Sequence, residues 1–208
     1  MAGTTSSRNR FGQYRRTRAA PVNPRSTAQG LVRAHMAANS AAWRALTSDQ
    51  RAGWGSLGAM IQRTDALGQA YTLTGFQAYC SINGVNLAAG NAIVAAAPAL
   101  STPAALLTAT ITSTGGTLSV AYTTTPLAAS VKLMLYASPQ RSAGRQYEGD
   151  FRLIAVTAAA AASPHNLLAA YSARFGVPVV GNRIFFSLVN TIGGFESGPL
   201  VTSHVIIT

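Results

Sequence analysis

The sequence predicts an α+β chain in several segments: an extended N-terminal arm, a small helical segment of three helices, and a C-terminal β-sandwich of the immunoglobulin or fibronectin type. Three observations predict it. The first 25 residues are basic and lack any hydrophobic period. Three Ser/Thr-x-x-Gln signals each open an apolar helical repeat. Beyond residue 105, short runs rich in β-branched and aromatic residues alternate with glycine turns. With 208 residues, 48% of them hydrophobic, the chain can bury a substantial core. The expected boundaries are residues 1–25 for the arm, 26–90 for the helical segment, 91–105 for a linker and 106–208 for the sandwich.

The arm is where the charge lies. Residues 1–48 hold Arg8, Arg10, Arg15, Arg16, Arg18, Arg25, Arg33 and Arg44 and no acid, which is +8 of the formal +11. The remainder carries eight basic residues against five acids. A cationic leader of this kind favours an anionic partner, either nucleic acid or an acidic protein surface. Every basic residue except Lys132 is arginine, whose planar fork of donors suits fixed contacts with carboxylates, phosphates and carbonyls. Charged residues make up only 10% of the chain, against about 25% in ordinary soluble domains, and such a surface suits burial against partner subunits.

Gly3, Gly12, Pro21 and Pro24 interrupt the arm, so it is expected to be extended or disordered when alone. At about 3.3 Å per residue it would reach on the order of 80 Å. Phe11 and Tyr14 supply apolar anchors between the charges. The expected partner-binding residues are Arg8, Arg10, Phe11, Tyr14, Arg15, Arg16, Arg18 and Arg25. The arm has the composition of an organelle transit peptide but not its amphipathic helix, and no apolar stretch follows the early arginines as a secretory signal requires. The apolar stretch over residues 91–109 is broken by Pro98 and Pro103, short of the ~20 residues a spanning helix needs. No membrane partner is expected.

Three capping boxes announce the helices: Ser26 with Gln29, Thr47 with Gln50, and Thr74 with Gln77. In each, the hydroxyl accepts the amide three residues on, and the Gln side chain returns to the cap amide. Helix one, over residues 27–46, places Val32, Met36, Trp43 and Leu46 on one stripe. Helix two, over 48–63, places Trp54, Leu57 and Ile61 together. Helix three, over 75–89, offers Phe76, Tyr79, Cys80 and Leu87, with Gly90 positioned to end it. The short joint at residues 46–48 predicts a hairpin of the first two helices, with Trp43 and Trp54 as core anchors.

The Ala- and Pro-rich residues 91–105 read as a linker laid over a surface. Strands are expected at 106–112, 117–123, 131–137, 151–157, 183–190 and 200–207, with a further one around 166–171. Leu118, Val120 and Tyr122, and Val131, Leu133 and Leu135, alternate most clearly. Turns are expected at Gly115-Gly116, at residues 142–144 and at Gly193-Gly194. Tyr171 stands where a tyrosine-corner residue could be, though too far from the next strand for that motif.

Few residues of the sequence carry a pattern that points to chemistry. His35, His165 and His204 have no acid near them in sequence, and a nucleophile needs a base within hydrogen-bond reach. Asp49, at the start of helix two, complements the helix dipole. Glu148 and Asp150 form the closest acidic pair, too few ligands for a metal. Cys80 is the lone cysteine, which excludes an internal disulfide and a cysteine zinc cluster. No phosphate loop, dinucleotide fingerprint or nucleophile elbow occurs. Neither an enzyme nor a bound cofactor is expected.

The run Arg8-Asn9-Arg10-Phe11-Gly12-Gln13-Tyr14-Arg15-Arg16-Thr17-Arg18, then residues 21–29 with Pro21, Pro24 and Ser26, then Trp43-Arg44-Ala45-Leu46-Thr47 and Gln50-Arg51-Ala52-Gly53-Trp54, resembles a loosely defined family of uncharacterised phage- and prophage-type structural proteins. The resemblance covers the first 90 residues well and the sandwich in outline. It implies a virion setting, with assembly in the host cytoplasm, and the expected role is a capsid cement or decoration subunit. The partners would be the major capsid protein or tail and neck subunits, with homo-oligomer contacts. A tail or neck component and a nucleic-acid-binding protein using the arm are the competing expectations.

Overall fold

A computed structural model describes residues 3–9, 12–18, 23, 25–114, 116–123, 125 and 127–207. Arg10, Phe11, Pro21, Pro24 and Gly115 lie outside the described residues. The chain divides into two units, residues 1–34 and 35–208.

In the first unit, β1 (Thr4–Asn9) and β2 (Gly12–Thr17) pair antiparallel, with Thr4 opposite Thr17 and Asn9 opposite Gly12. The Arg18 amide extends the ladder by donating to Gly3 O at 2.8 Å. Gly12 takes a φ of +119°, which the turn requires and a side chain would resist. This corrects the expectation of an unpaired arm: six residues per strand give a ribbon about 20 Å long, not 80 Å. The pairing left no hydrophobic signal because both faces of the ribbon are polar.

Helix α1 (Thr27–Arg44) begins after Ser26, whose Oγ accepts the Gln29 amide at 3.3 Å. The return bond from Gln29 is not made, so only half of that capping box forms. The expected stripe is divided as well. Leu31, Val32 and Met36 are 57%, 67% and 48% exposed, whereas Trp43 and Leu46 pack into the helical core. Periodicity identified the face but not what covers it.

Both later boxes close completely. Thr47 caps α2 (Ser48–Met60), accepting the Gln50 amide and donating its own to Gln50 Oε1. After the short strands β3 (Gln62–Thr64) and β4 (Ala70–Thr72), Thr74 and Gln77 do the same for α3 (Gly75–Ala88). Gly90, with φ +70°, follows the end of α3 as expected. The predicted hairpin of the first two helices does not form; α2 packs along α3 instead. Glycines permit this. A Cβ on Gly58 would stand 2.6 Å from Leu73 O, and one on Gly75 would stand 2.9 Å from Gly55 N. Trp54, Leu57, Tyr79 and Ile82 fill the interface, and both tryptophans meet Tyr79 edge to face with centroids 5.0–5.1 Å apart. Trp54 and Trp43 are thus core anchors, as predicted.

The sheets follow: β5 (Thr108–Thr114), β6 (Thr117–Thr123), β7 (Lys132–Ala137), β8 (Arg141–Ser142), β9 (Arg152–Val156), β10 (His165–Asn166), then α4 (Leu168–Phe175), β11 (Asn182–Ile192), β12 (Phe195–Glu196) and β13 (Leu200–Val205). One antiparallel sheet has the order β10-β6-β5. In the other, β11 is the spine: β7 and β8 pair along its length, as do β13 and β12, and β9 pairs with β7. Ile111, Leu118, Val120 and Tyr122 of the first sheet share one core with Leu133, Leu135, Ile184, Phe186 and Leu188 of the second. The architecture is therefore α+β, with four helices among the described residues instead of three. The additional helix is α4, where a strand was expected. Asn166 Oδ1 accepts the Leu168 amide and turns the chain out of the short β10. Tyr171 sits on α4, fully buried, and donates its hydroxyl to Ser138 O at 3.1 Å.

Residues 91–105 form no helix or strand, yet side chains fasten them. Trp54 Nε1 donates to Ala95 O at 2.8 Å, Asn83 exchanges two bonds with Val94, and Asn190 Nδ2 donates to Ala104 O at 2.8 Å. The Gly193-Gly194 turn abuts α3 so closely that a Cβ on Gly194, at φ +88°, would lie 2.4 Å from Ile82 O.

Two substitutions test these ties by urea denaturation. Trp54→Phe keeps an aromatic ring but strands the Ala95 carbonyl, and should cost about 1–3 kcal/mol. Gly194→Ala combines a left-handed backbone with a backbone collision and should cost on the order of 2–4 kcal/mol.

Candidate functional site

Residues across an antiparallel ribbon share a face, and successive residues alternate. By this register Arg8 and Arg15 lie on one face, while Tyr14, Arg16 and Arg18 lie on the other. All are exposed, Tyr14 by 39%. The ribbon therefore presents positive charge on both sides, with one aromatic ring on one of them. Arg25, at φ +48°, is exposed beyond it.

Among the described residues, the guanidinium groups of Arg8, Arg15, Arg16, Arg18 and Arg25 make no hydrogen bond or ion pair. Arg33 differs, with Nη2 donating to Asn23 Oδ1 at 3.3 Å. A two-stranded ribbon without a hydrophobic face is at best marginal alone, and this one has no acid within its own unit, residues 1–34, to offset its arginines. Of the expected partner-binding residues, the ribbon brings together Arg8, Tyr14, Arg15, Arg16 and Arg18, whereas Arg10 and Phe11 lie outside the described residues.

The acids of the second unit have mostly found partners. Glu148 is buried: Oε1 accepts the Gly149 and Asp150 amides at 2.9 and 3.0 Å, and Oε2 meets Arg141 Nε, with Arg145 Nε at 3.5 Å. The Asp150 amide and then the Arg141 guanidinium hold its carboxyl down to about 2. Asp150 pairs with Arg152 at 3.1 Å. The Glu148–Asp150 pair is thus held by three arginines and folds its own loop. Asp65 Oδ1 accepts the amides of Leu67 and Gln69, closing the β3–β4 turn.

One contact was invisible in the sequence because 91 positions separate its members. Ser113 Oγ lies 2.9 Å from His204 Nε2, the spacing of a nucleophile and its base. Ser113 is nevertheless 2% exposed, its Oγ also accepts the Ile207 amide, and no described carboxylate contacts His204. The arrangement clasps the end of β13 to β5. Burial lowers the His204 pKa. His165 lies on β10 and His35 on α1, and neither side chain makes a hydrogen bond or ion pair among the described residues. A hollow of about 440 Å³ between residues 103–106 and Leu127, Val131 and Ile192 carries no ionisable side chain. No group of three or more His, Cys, Asp or Glu among the described residues could hold a metal. No helix among them is long and apolar enough to cross a membrane.

These shifts give stability a two-step acid profile. The folded state binds fewer protons than the unfolded state at His204, so stability falls as pH drops below the unfolded histidine value of about 6.5. Glu148 contributes fully above about 4.5, and its share is lost as pH approaches 2. Burial raises the Glu196 carboxyl, which works the other way just above the unfolded carboxyl value, so the upper decline in melting temperature should be the net of the two and the lower decline unopposed. His204→Gln should flatten the upper step and Glu148→Gln the lower.

The chain matches no protein-family model, no curated protein and no solved structure.

Proposed function

We propose that the chain is a structural subunit of a phage-type virion, a capsid cement or decoration protein anchored to neighbouring subunits by its arginine-rich N-terminal segment, without a catalytic role. The observation that carries this reading is the set of five exposed arginines, Arg8, Arg15, Arg16, Arg18 and Arg25, with no partner in a unit that contains no acid. A ribbon of this kind becomes worth ordering only against a surface of carboxylates or carbonyls, where charge-assisted bonds offset the lost entropy. The exposed Leu31, Val32 and Met36 add an apolar strip for the same purpose. The two sheets over one core are read as a sandwich of immunoglobulin or fibronectin type that stands out from, or bridges, the subunits below. The virion setting is the one that the resemblance read from the sequence of the first 90 residues implies. A tail or neck position would use the same parts, and copies per particle separate the two, hundreds for a cement against a single ring.

The ribbon also favours a second reading, because a two-stranded β-ribbon fits the major groove of DNA. Nucleic-acid binding through Arg8 to Arg18 would fall steeply with salt as phosphate contacts release counterions. Gel shifts with duplex and single-stranded DNA across a salt series decide it, and no shift at low salt removes it.

For the cement reading, particles assembled with protein lacking residues 1–25 should contain none of it, while the truncated protein keeps its melting temperature. Wild-type occupancy of the truncated protein would refute the reading.

A further inference from the structure

The outer face of the six-stranded sheet, opposite the shared core, carries a groove of about 330 Å³. That size lies at the lower end of the range for ligand sites, about 300–1,000 Å³. Alternation places its lining. On β7 and β11, Leu133, Leu135, Phe186 and Leu188 point into the core, so Tyr136, Ser187 and Val189 face outward. Ser187 stands directly opposite Tyr136 in the ladder. Phe151, just ahead of β9, and Glu196 of β12 complete the groove with Pro199.

Glu196 is the one carboxylate that lines this groove. Glu148 and Asp150 are held by arginines and Asp65 by turn amides. Asp49 caps a helix. Glu196 makes no hydrogen bond or ion pair among the described residues, although it lines the same groove as two aromatic rings. Burial pushes its carboxyl up, and the charge of Arg63 on β3 opposes that push. Glu196 in turn adds to the rise that burial causes in the Tyr136 hydroxyl.

A carboxylate with aromatic and apolar walls selects a cation, and the rings favour a flat, weakly hydrated one over a compact ammonium. A saccharide would need several fixed hydrogen-bonding groups. Ser197 Oγ is already engaged, accepting the Asn190 amide and donating to Gly198 O. The source of such a cation is in the same sequence: residues 1–34 carry seven arginines and no acid.

We propose that this groove receives an arginine side chain from the N-terminal ribbon of a second copy, with Glu196 as its counter-charge and Tyr136 and Phe151 as its stacking walls. The inference rests on the reading of residues 1–25 as a connector and makes the partner, in part, another copy of the chain.

The test is fluorescence anisotropy of a labelled peptide of residues 1–25 titrated with the full-length protein at low salt. The peptide should bind, and argininamide should displace it. Glu196→Gln should weaken binding about tenfold or more, as expected for loss of a charge-assisted bond. Tyr136→Ala should weaken it too, and a peptide with lysine in place of every arginine should bind less well. Circular dichroism of Glu196→Gln, an exposed position, checks that the fold is unchanged, and Glu196→Asp should recover part of the affinity. Equal affinity for Glu196→Gln and wild type would overturn the groove assignment while leaving the ribbon a connector to other surfaces. Equal binding of the lysine peptide would overturn the guanidinium assignment. No binding to wild type would overturn arm exchange between copies, and particle incorporation would still test the cement reading separately.

Discussion

Lys132, the single lysine of the chain, is the fastening on which the second unit depends. Its ammonium donates to Ala89 O, at the C-terminal end of α3, at 2.9 Å and to Asn91 Oδ1 at 2.6 Å. A cation at a helix C-terminus meets both the orphan carbonyls and the negative end of the helix dipole. Here that cation sits on the first residue of β7, a central strand of the larger sheet, so one side chain ties the helical core to the sheet. The bonds from Trp54, Asn83 and Asn190 continue the same task along residues 91–105. That segment is too rich in proline and alanine to pair with itself, and its carbonyls draw donors from elsewhere. Side chains on two helices and one strand supply them for Val94, Ala95 and Ala104, giving a stretch without secondary structure a fixed course.

The features legible in advance were those with a local cause. The Thr47 and Thr74 boxes declared themselves because a cap needs only residues three apart. The alternation of Leu118, Val120 and Tyr122 placed β6 at its observed bounds because one face is buried and the other is not. What stayed hidden depends on partners distant in sequence. Residues 168–175 are apolar and short, a pattern equally compatible with strand and helix, and the Asn166 turn at their start decides for helix. The pairing of α2 with α3 follows from missing side chains at Gly55, Gly58 and Gly75, and an absence produces no hydrophobic period. The ribbon was unreadable for a different reason: its alternation is polar on both faces. Ser113 and His204 met only through the fold.

Val32 and Met36 show how far a stripe can be trusted. Val32, Met36, Asn39 and Trp43 recur at helical spacing along α1. Its C-terminal part is covered, with Asn39 2% exposed and Trp43 packed against Tyr79. The N-terminal part continues the same face uncovered. An apolar face that runs on past its own core is stable only at the cost of exposed hydrophobic area, unless something outside the chain completes it. Sequence and structure agree on the face and leave its cover to be supplied from elsewhere.

Charge accounting then separates what copies of the chain can do for one another from what they cannot. Residues 35–208 hold nine basic residues and five acids, a net of +4, and residues 1–34 add seven arginines. Glu148 and Asp150 already serve Arg141, Arg145 and Arg152, and Asp65 holds a turn, so the body offers a neighbouring ribbon little beyond the Glu196 groove. One groove accommodates one guanidinium. The other arginines of the ribbon would stand against a body of their own sign, and a lattice built from this chain alone would be held at one point and repelled at several. The proposed exchange between copies can therefore set register and spacing, but the main attraction must come from a surface richer in carboxylates or phosphates than this protein is. That requirement favours the proposed cement on a foreign lattice over a self-sufficient homopolymer.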